Sequence, residues 1–249
     1  MVIILLQNEK IESLGNGIEV IVSKEHIFNT DTILLADFSS PLKNDIVCEL
    51  GTGCCAIPLW WSRNVGPKST IAVEIQKEAY DMACRSVILN KLEDKIKALH
   101  IDLNEITNAD LKLGSFDVVV CNPPYKPIGT GLKNTCDKRK IARHEEKCSI
   151  EDIVELSAKL LKYGGKFCLC SRPERLCDII SAMRKYKIEP KILRFVQHRK
   201  DKSPKLFLIE GKKEAKSFLN VMPTLFIEDE NGDFSDEMKK IYGYYGENR

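Results

Sequence analysis

The stretch FDVVVCNPPY, residues 116–125, decides how the rest of the chain is interpreted. Its first six residues are mostly apolar and rich in β-branched side chains, and they are too few for a helix, so they predict a buried strand. Two consecutive prolines then end the strand and keep Asn122 extended, because a residue before proline is held out of the α region. Open α/β sheets bind their ligands at the carboxyl ends of strands. We therefore expect Asn122, Pro123, Pro124 and Tyr125 to lie at a binding site.

This four-residue run suits the transfer of a methyl group to a planar amine. The lone pair of an amine on a base or an amide is delocalised, so the nitrogen is a poor nucleophile. The Asn122 side-chain oxygen and the Pro123 carbonyl can each accept a hydrogen bond from the NH2 group, which localises the lone pair and stabilises the developing cation. Tyr125 can stack on a flat substrate. A plain turn is the alternative, but the complete run after a strand favours the catalytic interpretation.

A strand, a Gly-x-Gly loop and a helix are predicted upstream of that run. Residues 46–50 predict the strand, Gly51 and Gly53 form the loop, and an apolar helix is expected over residues 56–61. Glycines at this place let the backbone approach a nucleotide-like ligand closely. The third glycine of the usual pattern would fall at residue 55, where this chain has Cys55, and this departure argues against a pyrophosphate dinucleotide pocket.

Acidic residues follow the next two predicted strands. Residues 70–74 predict a strand that ends in Glu74, about 20 residues past the loop, where a carboxylate can accept both hydroxyls of a ribose. Residues 95–101 predict a third strand, and Asp102 follows it. Asp102 can contact the adenine amino group of a cofactor or, alternatively, cap a helix.

The remaining elements follow from turn and cap signals. Thr30 or Asp31 is expected to cap a helix, and Ser149 to open another that Gly164 and Gly165 end near residue 162. The other expectations are a strand pair over 2–24 with its turn at 15–17, a helix over 76–90, a strand over 166–170, a helix over 173–186 and antiparallel strands over 190–197 and 205–211.

Bulk composition excludes little. The net charge of +2 does not identify a nucleic-acid partner, and no apolar run reaches the ~20 residues that span a membrane. The ten cysteines include no C-x-x-C pair, so we expect reduced thiols in a cytoplasmic protein rather than zinc or disulfides. We expect neither a metal nor a membrane anchor, and we favour a monomer.

Two basic segments are candidates for contact with a nucleic-acid backbone. Residues 126–148 form a long polar stretch that suits RNA, although a solvated loop is the alternative. Residues 184–213 hold eleven Lys and Arg against three Asp and Glu, which indicates either a second RNA contact or the exposed edge of a hairpin. The RNA contacts expected in the first segment are Lys126, Lys138, Arg139, Lys140, Arg143 and His144.

These features together resemble the bacterial tRNA N6-adenine methyltransferases that modify the adenine beside the anticodon of a valine tRNA. The resemblance covers nearly the whole chain and rests on NTDTILL (29–35), ELGTG (49–53), NPPY (122–125), IARHE (141–145) and GDFSDEM (232–238). It implies an α/β, Rossmann-like class I methyltransferase fold, with a seven-stranded, mostly parallel sheet, an antiparallel last strand and helices on both faces. It also implies S-adenosyl-L-methionine as cofactor and tRNA as substrate. Motifs and resemblance together give the expected cofactor contacts: Thr30, Asp31, Glu49, Gly51, Thr52, Gly53, Glu74, Ile75, Asp102, Leu103 and Asn122.

The resemblance implies one methyltransferase domain over residues 1–249. Its expected additions are an N-terminal extension (1–40), the basic substrate loop (126–148) and a C-terminal extension (212–249). The NPPY run also occurs in glutamine methyltransferases that act on release factors and in DNA adenine methyltransferases. An N5-glutamine methyltransferase and a catalytically idle RNA-binding module therefore remain alternatives, although the NTDT and ARHE segments favour the tRNA group.

Overall fold

Strands and helices alternate along most of the chain. The computed structural model describes residues 4–123 and 149–243. Within them the elements are β1 (Glu9–Gly15), β2 (Ile18–Ser23), α1 (Thr30–Ser39), β3 (Ile46–Leu50), α2 (Ala56–Trp61), β4 (Ser69–Glu74), α3 (Lys77–Leu89), β5 (Ile96–His100), β6 (Phe116–Cys121), α4 (Ile150–Leu160), β7 (Leu161–Ser171), α5 (Leu176–Lys185), β8 (Ile188–Gln197), β9 (Leu206–Lys213), β10 (Asn220–Val221), β11 (Leu225–Phe226) and α6 (Asp236–Tyr242).

One large sheet organises these elements. Its strand order is β10-β8-β9-β7-β6-β3-β4-β5, and β11 pairs with β8, so the described residues contribute nine strands. β3 to β7 run parallel to one another, whereas β9 is antiparallel to both of its neighbours. The expected mostly parallel sheet with an antiparallel last long strand is confirmed, and the two short strands beside β8 add to the seven expected. From β3 the chain proceeds outward through β4 and β5 and returns to β6 on the other side, so a topological switch point lies between β3 and β6.

Helices cover both faces of the sheet because the central strands are apolar on both sides. In β6, Val118 and Val120 pack into the core that α1, α2 and α3 cover. Val119 and Cys121 pack into the opposite core, beneath α4 and α5. This burial on two faces explains why the sequence of β6 is a continuous apolar run instead of an alternating one.

Three predicted boundaries were wrong. The side chain of Asn29, and not that of Thr30 or Asp31, caps α1 by accepting the Thr32 backbone N–H. Helix α4 ends at Leu160 and β7 begins at the next residue, so the two glycines at 164 and 165 lie inside a strand and do not end the helix. Leu161 is fully buried and pairs with Phe116, and this burial draws the chain into the sheet directly. The segment after β7 begins as a 3-10 turn, Pro173–Arg175, before α5.

The N-terminal hairpin β1–β2 is fastened to α3 by an ion pair. Both oxygens of Glu9 accept hydrogen bonds from the guanidinium of Arg85 at 2.6 Å. The side chains are only 7% and 17% exposed, respectively. This hydrogen bonding lowers the pKa of Glu9 below its ordinary value of 4.5. Because the pKa is lower in the folded protein, the pair stabilises the fold above the ordinary pKa and loses this effect as the pH falls through the lowered one.

We predict that Glu9→Gln lowers the free energy of unfolding by roughly 0.5–1 kcal/mol at neutral pH. Chemical denaturation at pH 7 and at pH 3 measures it, and the difference from the unmodified chain should shrink at the lower pH. Glu12→Gln is the matched control, because Glu12 pairs with the largely exposed Lys10 on the same hairpin and its loss should matter less. An equal loss for both variants would contradict a special role for the Glu9 pair.

Candidate active site

The carboxyl ends of β3, β4 and β6 surround a cavity of about 280 Å³ at the switch point. Eight residues predicted from the sequence lie in its wall: Gly51, Gly53, Glu74, Ile75, Asp102, Leu103, Asn122 and Pro123. Five more wall residues were not predicted: Leu50, Val73, Gln76, Cys121 and Ile153. Four of them are strand ends or neighbours of predicted residues, so the sheet register finds them although no motif marks them, whereas Ile153 comes from helix α4.

The glycine loop presents bare backbone to this cavity. Gly51 and Gly53 have φ values of +74° and +57°, and among the described residues no atom lies within 4 Å of a Cβ built on either glycine. The Gly51 and Thr52 N–H groups both donate to the Val73 carbonyl at 2.9 Å, which fastens the loop to β4. A ligand can therefore approach the loop backbone as closely as a nucleoside requires.

Cys55 keeps the conformation that a glycine would adopt at its position. Its φ of +70° is left-handed, and its side chain is fully buried in the core beneath α2. A left-handed conformation costs a residue with a Cβ roughly 1–2 kcal/mol. Burial of the thiol side chain offsets part of that cost, so the loop geometry is retained without the third glycine.

Glu74 is held rigidly at the cavity wall. It is 4% exposed, its Oε2 accepts the Gly53 N–H at 2.8 Å, and its Oε1 accepts the Gln76 N–H at 2.8 Å. Each oxygen of a carboxylate can accept more than one hydrogen bond. The two oxygens therefore order the loop and can still accept ribose hydroxyls, so the residues present fit a nucleoside cofactor.

Asp102 takes the capping role and also lies in the cavity wall. Its Oδ1 accepts the Asn104 N–H at 3.0 Å and so caps the 3-10 turn Leu103–Glu105. The same residue lies in the cavity wall together with Leu103. The capping bond fixes the side chain beside the ligand space.

Glu49 and Thr52 are not among the described residues of the cavity wall, and they lie beneath the glycine loop instead. Both are buried, and the Thr52 hydroxyl donates a hydrogen bond to the Glu49 carboxylate. Burial raises the pKa of Glu49 well above its usual range, and the charge of Glu74 adds to the effect. The contact that the structure gives these two side chains supports the loop from below.

Asn122 is anchored from two distant parts of the chain. Its Nδ2 donates to the Thr32 hydroxyl oxygen at 3.1 Å, and its Oδ1 accepts from the Cys170 thiol at 3.1 Å. Thr32 lies in the first turn of α1, and Cys170 lies near the end of β7. Sequence reasoning missed both residues. The NTDT run was the available signal for Thr32, whereas Cys170 carries none beyond its place near the end of a strand that adjoins β6.

Thr30 and Asp31 lie in the same first turn of α1, but the described residues of the cavity wall do not include them. Asp31 lines a neighbouring cavity together with Arg172 and Lys205. Burial raises the pKa of Asp31, and the positive charge of Arg172 acts in the opposite direction. This second cavity adjoins the helix turn that holds Asn122.

The turn between β8 and β9, residues 198–205, lies at the same edge of the sheet as Asn122. β8 and β7 are both antiparallel to β9, so both end at that edge. The turn contains Arg199, Lys200, Lys202 and Lys205 and one acidic residue, Asp201, which pairs with Arg199 and Lys202. The strongest basic stretch of the sequence therefore has its turn at the same edge of the sheet as the site, where Lys200 also pairs with Glu230.

Several predicted site residues lie outside the described residues. They are Pro124, Tyr125, Lys126, Lys138, Arg139, Lys140, Arg143 and His144. Their proposed roles remain predictions from the sequence.

Comparison with known proteins identifies the family. The family model of the methyltransferase small domain matches residues 19–184, two thirds of the chain. The chain belongs to this family. The matched region contains every described residue of the cavity wall.

Curated relatives and solved structures agree with this assignment. A protein of Shewanella woodyi named tRNA1(Val) (adenine(37)-N6)-methyltransferase is 25% identical over 87% of this chain and 91% of its own length. A protein of the same name from Parabacteroides distasonis is 28% identical over 73% of this chain and 74% of its own length. The fold matches a predicted O-methyltransferase of Agrobacterium tumefaciens with a TM-score of 0.68 at 20% identity, over 86% of this chain and 96% of that one. The fold also matches a tRNA m1G37 methyltransferase of M. jannaschii with a TM-score of 0.57 at 16% identity. That match covers 84% of this chain and 58% of the other.

The described residues contain neither a helix that could span a membrane nor a cluster of metal ligands. Among residues 4–123 and 149–243, no helix is long and apolar enough to cross a bilayer. The same residues contain no group of three or more His, Cys, Asp or Glu side chains that could hold a metal ion.

We predict that Gly51→Ala reduces the affinity for S-adenosylmethionine at least tenfold, because its Cβ enters the cavity and strains the loop. Calorimetric titration measures the affinity. Gly17→Ala is the matched control: Gly17 has a φ of +76°, and in the described residues a Cβ there meets no atom within 4 Å, but it lies in the β1–β2 turn. Both variants should lose about 1 kcal/mol of stability. Unchanged affinity in Gly51→Ala would show that the ligand does not approach this loop.

Proposed function

We propose that this chain transfers a methyl group from S-adenosylmethionine to the N6 amino group of an adenine in tRNA. The adenine next to the anticodon of a valine tRNA is the proposed target. The observation that carries the proposal is the position of the Asn122 amide and Pro123 in the wall of a cavity fitted to a nucleoside. The printed names of relatives that match most of the chain support the tRNA substrate.

The cofactor is held by the loop and the two acids. Glu74 would accept the ribose hydroxyls, Asp102 would contact the adenine, and the backbone of Gly51 and Gly53 would leave room for the remainder. When bound, S-adenosylmethionine supplies an electrophilic methyl group. The apolar wall residues Ile75 and Leu103 cover the faces of the adenine ring.

Asn122 and Pro123 act on the other reactant. The Asn122 Oδ1 and the Pro123 carbonyl would accept hydrogen bonds from the adenine amine and stabilise the positive charge that develops on the nitrogen as the N–C bond forms. The bond between the methyl carbon and the sulfonium sulfur breaks in the same step, its electron pair stays on sulfur, and S-adenosylhomocysteine is the leaving group. The methylated nitrogen then releases one of its two protons to solvent. Positioning two bound reactants in line supplies the rest of the acceleration, and no covalent enzyme intermediate is involved. Tyr125 is proposed to stack on the flipped base.

Basic groups at the carboxyl edge of the sheet suit the polyanionic substrate. Arg172, Lys202 and Lys205 line a cavity together with Asp31 of the helix turn that holds Asn122. An RNA backbone is attracted by such a cluster, whereas the glutamine loop of a protein has no general need for it. This placement favours RNA over the alternative of glutamine methylation. The assembled cavity favours an active enzyme over an idle binding module.

A cytoplasmic location is also proposed. Within the described residues, none of the eight cysteines forms a disulfide. Such usage is typical of a reducing compartment, where tRNA substrates are also found.

The direct test uses the full-length chain with labelled S-adenosylmethionine and total tRNA from a strain that lacks the activity. Mass spectrometry of the nucleosides should show N6-methyladenosine, and digestion into fragments should place it beside the anticodon of a valine tRNA. Label in an added release factor but not in RNA would move the assignment to glutamine. Cofactor binding without label in either substrate would overturn both assignments.

We predict that Asn122→Ala lowers kcat by roughly 10–100-fold or more, since a hydrogen bond to a charged group contributes about 1.5–3 kcal/mol. The affinity for S-adenosylmethionine should stay within a few-fold. Single-turnover methylation and calorimetry separate the two effects. Near-normal turnover would remove the assigned role of Asn122.

We predict that Lys202→Ala combined with Lys205→Ala weakens tRNA binding and lowers the slope of log affinity against log salt by about 2. Filter binding over a salt series measures both quantities. Lys43→Ala with Lys68→Ala is the matched control, because these exposed lysines precede β3 and β4 at the opposite edge of the sheet. If the control pair reduced the slope equally, the 198–205 turn would have no special part in binding.

A further inference from the structure

The side chain of Asn122 has two ends that differ in chemistry, and only one serves the proposed reaction. The oxygen accepts a hydrogen bond from the target amine. If the amide were turned over, its own NH2 would face the NH2 of the substrate, and two donors would meet. Something in the protein must therefore select the orientation of this amide.

The selection begins at the cap of α1. The Asn29 side chain lies 3.1 Å from the Thr32 backbone N–H, which can only donate, so the capping atom of Asn29 is its oxygen. The Thr32 hydroxyl lies 3.1 Å from the same oxygen. Because an amide oxygen only accepts, the Thr32 hydroxyl donates its single hydrogen to Asn29.

With that hydrogen used, the Thr32 oxygen can only accept from other groups. It accepts from the Asn29 backbone N–H at 3.4 Å and from Asn122 at 3.1 Å. The end of Asn122 that faces Thr32 must therefore be the NH2 group. Its Oδ1 is consequently turned away from α1, where it meets the thiol of Cys170 at 3.1 Å. A thiol is a weak donor, so this contact competes less with an amine than a hydroxyl or an N–H group would.

We propose that Asn29 and Thr32 are positioning residues that set the polarity of the Asn122 amide through this chain of hydrogen bonds. The inference rests on the proposed function of Asn122. The direction of each bond follows from the backbone N–H at the start of the chain, and the path joins residues that are 90 positions apart. The cap of α1 thus stabilises a helix and also orients the group that receives the substrate.

The test is Thr32→Val, which keeps the size of the side chain but removes the oxygen that accepts from Asn122. The value of kcat should fall about tenfold, while KM for tRNA and Kd for S-adenosylmethionine stay within twofold. Thr32→Ser restores the hydroxyl and should restore most of kcat. Asn29→Ala should also lower kcat, because the Thr32 hydroxyl can then turn its hydrogen toward Asn122.

The double variant Thr32→Val with Asn122→Ala separates orientation from general damage. It should be no slower than Asn122→Ala alone, since without the amide there is nothing left to orient. Additive losses would show that Thr32 acts only through stability, and the proposal would be wrong. Thr107→Val is the matched control, because it also removes a threonine hydroxyl that makes a local hydrogen bond. That hydroxyl donates to Asp110 at 2.7 Å in an exposed loop. The Thr107→Val variant should leave kcat unchanged.

Two failures can be told apart. If Thr32→Val keeps full kcat while Asn122→Ala loses it, the orientation proposal fails and the proposed function stands. If Asn122→Ala itself keeps full kcat, the proposed function fails as well.

Discussion

The register between β3 and β6 is the constraint on which the site depends. Leu50 and Cys121 are partners across this parallel pair. The next residues, Gly51 and Asn122, are therefore the first to leave the sheet, side by side and at the same edge. The chain leaves β3 toward β4 on one side and continues from β6 to β7 on the other, which is the arrangement of a topological switch point. The glycine loop and the Asn122 amide consequently lie in the wall of one cavity.

Most elements of this sheet could be predicted because a buried strand or helix requires a local run of apolar residues, which the sequence shows directly. The bounds of β3, α2 and β6 were predicted to the residue, since each is a short apolar run between glycines, prolines or charged residues. The junction of α4 and β7 could not be predicted in this way. Gly164 and Gly165 are strong local signals for a helix end, but the burial of Leu161 against β6 outweighs them. The contact that decides this boundary is made with a strand over forty residues earlier in the chain.

The candidate site divides along the same line. Glu74 and Asp102 could be found from the sequence because a carboxylate at the end of a parallel strand has a defined place relative to the glycine loop. Thr32 and Cys170 could not, because their roles arise only when α1 and β7 are packed on either side of Asn122. The capping signal at residues 29–32 has a complete local explanation, so the NTDT run marks the segment without indicating a contact between Thr32 and Asn122. Tertiary packing gives the Thr32 hydroxyl a second hydrogen-bond partner, Asn122, in addition to its local partner Asn29.

The position of the basic residues in the fold is more informative about a partner than the net charge of the chain. A net charge of +2 over 249 residues says nothing about a partner. The antiparallel insertion of β9 between β7 and β8, however, brings the end of β8 to the carboxyl edge, and the basic turn at 198–205 comes with it. Arg172 arrives at the same edge from the end of β7, beside Asp31, whose pKa is raised by burial. The topology that creates the nucleoside cavity therefore also brings the basic turn to the carboxyl edge, where Lys202 and Lys205 line the cavity that adjoins α1, while Glu228 and Glu230 lie against His198 and Lys200.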